Sequence, residues 1–196
     1  HVGEERRLRR RCRANSAYTR QTRSERVGRL GEFDGTDTTW TNGFGEKLAF
    51  TDLIRWQDQF WCVFREGTAH VSPDGAIRVL SSPDGTNWNS AVRLTSSRGD
   101  LRDPHVTVTP DGSLMLYGAA ALPQPGPVKH QSLAWFSRDG RHWTEEIPIG
   151  DPNIWMWRVA WRGPEALGVG YDTDGERFVR LYSSRDGRSF DTVVPT

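Results

Sequence analysis

The stretch SSPDGTNW, Ser81 to Trp88, returns as FSRDGRHW at Phe136 to Trp143 and as SSRDGRSF at Ser183 to Phe190. The three aspartates, Asp84, Asp139 and Asp186, stand 55 and 47 residues apart. Self-similarity at such an interval marks a repeated supersecondary unit. The residue types suit a tight turn. Gly85, Gly140 and Gly187 can take a positive φ. The preceding Asp can accept backbone N–H bonds across the turn, and the Ser hydroxyl can add a local bond. Trp88, Trp143 and Phe190 can then cover the unit, burying on the order of 150–250 Å² each.

Outward from these boxes, the chain from about Lys47 reads as short apolar runs bounded by turn signals. They are FTDLIRW, QFWCVF and AIRVLSS, then HVTV, SLMLYGA and SLAWFS, then WRVAW, ALGVGY and FVRLYSS. Few windows carry helical spacing, and the runs are rich in Val, Ile, Trp and Phe, which is how strands and hairpins read. Each interval repeats one order: an inner strand, a hairpin, a second strand, a third strand ending in Ser, the Asp-Gly turn and a short fourth strand. HVSPDGAI and TVTPDGSL lack the following aromatic and read as ordinary hairpin turns. The expected fold is all-β, a β-propeller of four-stranded antiparallel blades, with three blades at about 47–99, 100–152 and 153–196. Three blades cannot close a ring, so residues 31–196 read as a partial propeller whose open edges favour edge-to-edge self-association.

The net charge of +1 is unevenly distributed. Residues 1–30 hold ten Arg against three Glu, a balance of +7 that leaves −6 for residues 31–196. RRLRRRCR, Arg6 to Arg13, lacks interleaved aromatics and a periodic apolar face, so residues 1–30 read as a disordered or spurious leader rather than a nucleic-acid arm. No nucleic-acid partner is expected for the propeller part. No apolar run approaches the ~20 residues of a membrane-spanning helix, and no signal peptide is visible. Cys12 falls in the leader and Cys62 in the apolar run WCVF, where it reads as a small buried hydrophobe. No Cys/His spacing suggests a metal, and no cofactor is expected.

In a propeller the inner strands line the axis, so charged residues on or beside each first strand are the candidates for chemistry. Asp52 lies inside FTDLIRW. Asp100, Arg102 and Asp103 lie in GDLRDPHV. Arg158 lies in IWMWRVAW between Trp157 and further apolar residues. Such charges are ordinarily paired when buried, but three at matching positions of three blades imply a charged floor around one axis. FREGTAH adds Arg65, Glu66 and His70 at the end of a second strand. Arg65 and Glu66 point to opposite faces, so one of them is expected to face solvent or to sit in a structural ion pair. Trp155 or Trp157 is the candidate sugar platform, and Trp161 is expected in the core.

SPDGTNW, SRDGRHW and SRDGRSF resemble the Asp-box repeats of the sialidase superfamily, whose members are six-bladed β-propellers. The stretches FREGTAHVSPDGAIRVLSSPDGTNW and DLRDPHVTVTPDGSLML are similar to bacterial proteins labelled exo-α-sialidase-like. The resemblance covers about residues 47–196. It implies about three of six blades, a glycoside hydrolase acting on glycans, and an extracellular or periplasmic location. Glycoside hydrolysis needs two carboxyl groups, for which Asp103, Asp52 and Glu66 are available. Sialidase chemistry instead uses a Tyr nucleophile, for which Tyr171 is the candidate, and an arginine cluster on the substrate carboxylate, here Arg65, Arg102 and Arg158. His70 and Trp157 would be further substrate contacts. The chain departs from the family in having Phe-Arg-Glu-Gly where an Arg-Ile-Pro motif is usual. Arg102-Asp103-Pro104 is similar to the Arg-Asp-Pro motif of fructosidase-like propeller hydrolases. The rival readings are a non-catalytic carbohydrate-binding or interaction propeller and an inactive truncated fragment.

Overall fold

Each apolar run forms a strand, and each strand pairs with the next. A computed structural model describes residues 47–194; the leader 1–30 and Cys12 lie outside the described residues. The first sheet holds β1 (Lys47–Trp56), β2 (Gln59–Gly67), β3 (Ala76–Ser82) and β4 (Asn89–Leu94). The second holds β5 (Asp100–Val108), β6 (Leu114–Ala121), β7 (His130–Ser137) and β8 (Ile147–Ile149). The third holds β9 (Ile154–Arg162), β10 (Glu165–Asp172), β11 (Val179–Ser184) and β12 (Asp191–Val194). All pairings are antiparallel between consecutive strands, and no helix occurs among the described residues. The domain is all-β, built as three four-stranded propeller blades.

Strand parity sorts the core into two clusters. Along β6, Leu114 and Leu116 face the first sheet and pack with Val63, Ile77, Val106 and Trp135, while Met115 and Tyr117 face the third sheet and pack with Met156, Val159 and Tyr182. Successive side chains point to opposite faces of a strand, so a strand between two sheets is apolar on both. In the third sheet β10 alternates instead, leaving Leu167 and Tyr171 exposed on the side that no described sheet covers.

The Asp-Gly turns share one geometry. Ser82 Oγ accepts the Gly85 N–H at 2.9 Å, and Asp84 Oδ1 accepts those of Asn87 and Thr86 at 2.7 and 2.8 Å. Ser137 with Asp139 and Ser184 with Asp186 repeat the arrangement. Those N–H donors hold the Asp84 carboxyl far below the usual carboxylate range. Gly85, Gly140 and Gly187 have φ of 74, 74 and 69°. A Cβ on Gly140 would overlap the Trp61 ring, so the second sheet's turn also packs on the first sheet.

One further feature repeats. Each first strand carries a β-bulge near the same end: Phe50–Thr51 in β1, Asp103–Pro104 in β5 and Trp157 in β9. Phe50 and Asp103 have φ of 58 and 47°. Pro104 fits because a bulge is where a strand tolerates a missing N–H. Opposite it stands Gly118, where a Cβ would come 2.7 Å from the Arg102 carbonyl oxygen. A bulge breaks side-chain alternation and re-aims the next side chains along the strand. The residues just after the three bulges are Asp52, His105 and Arg158.

Candidate active site

The antiparallel meander puts the bulges and the Asp-Gly turns at opposite ends of the blades. β1, β5 and β9 bulge near their starts, whereas the turns come after the ends of β3, β7 and β11. A cleft of about 710 Å³ at the turn end, lined among others by Trp143, Trp161 and Arg188, includes none of the candidate residues. Its Asp139 and Asp186 carboxylates already accept turn N–H groups.

At the bulge end the three post-bulge side chains converge, one from each sheet. Asp52 Oδ2 accepts the Val106 N–H at 3.1 Å, lies 3.3 Å from Arg158 Nη1 and lies 3.5 Å from His105 Nδ1. Its Oδ1 accepts the Leu53 N–H at 3.0 Å. Burial opposes ionisation of Asp52, but the interaction with His105, these two N–H donors and the Arg158 charge outweigh it and hold the carboxyl below its ordinary range. The Arg158 side chain is 55% exposed, so the guanidinium also faces solvent. Across the next blade boundary, the Val159 N–H donates to Tyr117 Oη at 2.8 Å. In both cases the N–H just beyond the post-bulge residue is satisfied by a neighbouring blade.

Asp103 sits in the opposite environment. It occupies the second bulge, is buried, and accepts no hydrogen bond and makes no ion pair among the described residues. Burial pushes its carboxyl up, and the charges of His105, Arg102, His70 and Arg65 only partly offset that. The two environments thus shift the carboxyls in opposite directions, Asp52 down and Asp103 up.

Aromatic rings form a wall beside them. Trp157 is 44% exposed, meeting the His105 ring edge-on at 5.5 Å and the Tyr171 ring at 6.1 Å. Trp155 is buried and stacks on Tyr171 at 6.3 Å, so Trp157 is the open platform. Trp161 packs against the second core cluster. His70, exposed on the β2–β3 loop, has its ring 5.8 Å from Phe50 in the first bulge.

Two candidates are used inside the blades. The Arg65 side chain is 1% exposed; its guanidinium bonds Asp100 at 2.8 Å, the carbonyls of Leu101 and Ala69 at 3.1 and 2.9 Å, and Ser72 at 3.2 Å. Glu66, on the opposite face of β2, accepts two bonds from Arg78 at 3.1 Å and another from Arg93. The faces are opposite as alternation requires, but both residues serve structural pairs rather than one. Arg102 also turns to Asp100, at 2.6 Å, and keeps a partly exposed side chain. Of the three arginines expected as an anion clamp, only Arg158 reaches the converging cluster.

His105 is the site residue that sequence reasoning misses. The signal is present in Pro104: a proline inside a strand marks a bulge, and the residue after it takes the place of Asp52 in the first blade.

The class these features define is an all-β fold of propeller blades with charged residues gathered at one end of the inner strands. No protein-family model matches the chain, and no curated protein matches it in sequence, so the sialidase resemblance rests on the motifs alone. Among solved structures it is similar to a thermostable family-43 glycoside hydrolase, with TM-score 0.61 and 11% identity over 79% of this chain and 57% of that one. A Penicillium chrysogenum α-L-arabinanase complexed with arabinobiose gives 0.58 and 13% over 76% and 50%. A Fusarium graminearum α-L-arabinofuranosidase gives 0.59 and 14% over 78% and 49%. The chain spans about half the length of these structures. At such identities the likeness is one of fold: that of propeller glycoside hydrolases.

Proposed function

We propose that the protein is a propeller glycosidase in which Asp103 is the general acid and Asp52 the ionised carboxylate partner. The observation that carries this reading is the pair of opposed environments at one end of the inner strands. Two carboxyls pushed apart in acidity are what acid-assisted glycosidic cleavage requires, one to protonate the leaving oxygen and one to act as nucleophile or base. Asp103 is free of the ion pairs that would keep it ionised. Arg158 and His70 supply polar contacts, and Trp157 supplies a face on which a sugar ring can stack.

The substrate favoured by this arrangement is a neutral glycan rather than a sialoside. An anionic sugar calls for several guanidinium groups converging on its carboxylate, whereas Arg65 and Arg102 both hold Asp100. Tyr171 is disfavoured as a nucleophile, since burial pushes its phenol up. The Asp-Gly turns remain of the sialidase Asp-box kind, a resemblance of scaffold. One observation favours a non-catalytic glycan-binding propeller: Asp52 is itself held by Arg158 and Val106.

Turnover of a panel of neutral glycosides with unactivated leaving groups, with a sialoside alongside, separates these readings. The proposal expects hydrolysis of at least one neutral glycoside and loss of it in Asp52→Asn and Asp103→Asn. Asparagine at position 52 keeps an oxygen for the Val106 N–H. Full activity in both variants overturns the assignment; glycan binding without turnover favours the binding reading.

A further inference from the structure

His105 occupies the post-bulge position of β5, equivalent to Asp52 in β1 and Arg158 in β9. Its ring is enclosed by Tyr117 and Trp157, each with centroids 5.5 Å away. Both ring nitrogens are shielded from solvent and have no aligned hydrogen-bond partner among the described residues. The polar group standing against the ring is Asp52, whose Oδ2 lies 3.5 Å from Nδ1, within ion-pair reach but off the hydrogen-bond direction. A buried imidazole usually satisfies at least one nitrogen. This one is instead held against the anion of the site.

We infer that His105 is a positioning residue of the site, an imidazole that holds Asp52 in place between Val106 and Arg158. Its shielded nitrogens keep it from touching substrate, so it acts through the carboxyl it stands against. The charge environment of that carboxyl supports this: the interaction with His105 is the largest of those lowering Asp52. The groups facing this unit are Asp52 from β1, Asp103 and Arg102 from β5, Tyr117 from β6, and Trp157 and Arg158 from β9. Tyr171 from β10 meets the Trp157 ring, and the charges of His70 and Arg65 act on Asp103. The ring against Asp52 Oδ2 favours the ionised form of that carboxyl, and removing it withdraws that support.

The inference deepens the glycosidase reading, and only its kinetic consequence rests on that reading. The test is a carbon-13 carboxyl titration of Asp52 by NMR in the full chain, comparing wild type with His105→Gln and His105→Asn. The Asp52 midpoint should move to higher pH in the variants. In wild type, the His105 ring resonances should shift where Asp52 titrates, a readout that needs no variant to fold. An unmoved Asp52 midpoint in a folded variant, or ring resonances blind to Asp52, overturn the inference. With an active substrate in hand, the acid limb of the kcat/KM profile should move to higher pH in His105→Gln. If no glycoside is hydrolysed, the glycosidase reading fails, and the NMR titration still decides the role of His105.

Discussion

Arg65 and Asp100 form the pair on which a substrate-clamp reading and a structural one diverge most. The Arg65 side chain is 1% exposed and the Asp100 side chain 5%, and their closest approach is 2.8 Å. Replacing Arg65 with methionine keeps much of the volume but leaves the Leu101 and Ala69 carbonyls without that donor and Asp100 with only Arg102. Breaking a buried pair by removing one partner costs about 3–5 kcal/mol. Because Arg102 still neutralises one Asp100 oxygen, the lower end of about 3 kcal/mol is expected. For a domain of this size that lowers the melting temperature by on the order of 6–12 °C. Lysine should fall between, since one ammonium cannot reach Asp100, Leu101, Ala69 and Ser72 together. Gly75 belongs to the same unit, because a Cβ there would overlap the Asp100 carboxylate. Denaturant unfolding followed by Trp fluorescence, with a calorimetric scan, measures the effect. An Arg65→Met variant that melts with wild type but loses ligand affinity would refute the reasoning and return Arg65 to the binding surface.

Gly140→Ala should destabilise by at least ~1–2 kcal/mol, the cost of a positive φ for a residue with a Cβ, with further loss from the Trp61 overlap; equilibrium unfolding checks it. Asp103→Asn should melt higher than wild type at neutral pH. The folded-state acidity of Asp103 is weakened relative to the unfolded chain, so its contribution is fully present below the unfolded carboxyl range and lost as pH rises through the folded midpoint. The two melting curves should converge at acid pH, and parallel curves at all pH values would contradict the claimed burial effect. Cys62, a buried thiol pushed up to about 12, should resist alkylation until the chain unfolds, as site-resolved mass spectrometry would show. Trp157→Ala should raise KM with little change in melting temperature, because the ring is an exposed platform rather than core.

Blades can be read from the sequence because turn chemistry is local. Ser, Asp, Gly and an aromatic within eight residues dictate their own hydrogen bonds, and their interval rules off the sheets. Asp52, Asp103 and Arg158 stand out because charge inside an apolar inner strand is costly unless it is paired or used. The features that escape such reading depend on register between strands. A bulge inserts one residue and breaks the alternation on which facing is judged; His105 is hidden by the bulge at Asp103–Pro104, and its contacts come from β1, β6 and β9. The burial of Arg65 and Glu66 depends on Asp100, Arg78 and Arg93, partners 12 to 35 residues away that only pairing brings near.

The central claim is that Asp103 protonates a leaving group while Asp52 stays ionised. The most direct test compares kcat/KM of wild type and Asp103→Asn on glycosides of one sugar with poor and with good leaving groups. Loss of a general acid should cost about 10²–10⁴-fold on the poor leaving group and little on an activated aryl group that departs without a proton. Equal losses on both substrates, or none on either, would contradict the account.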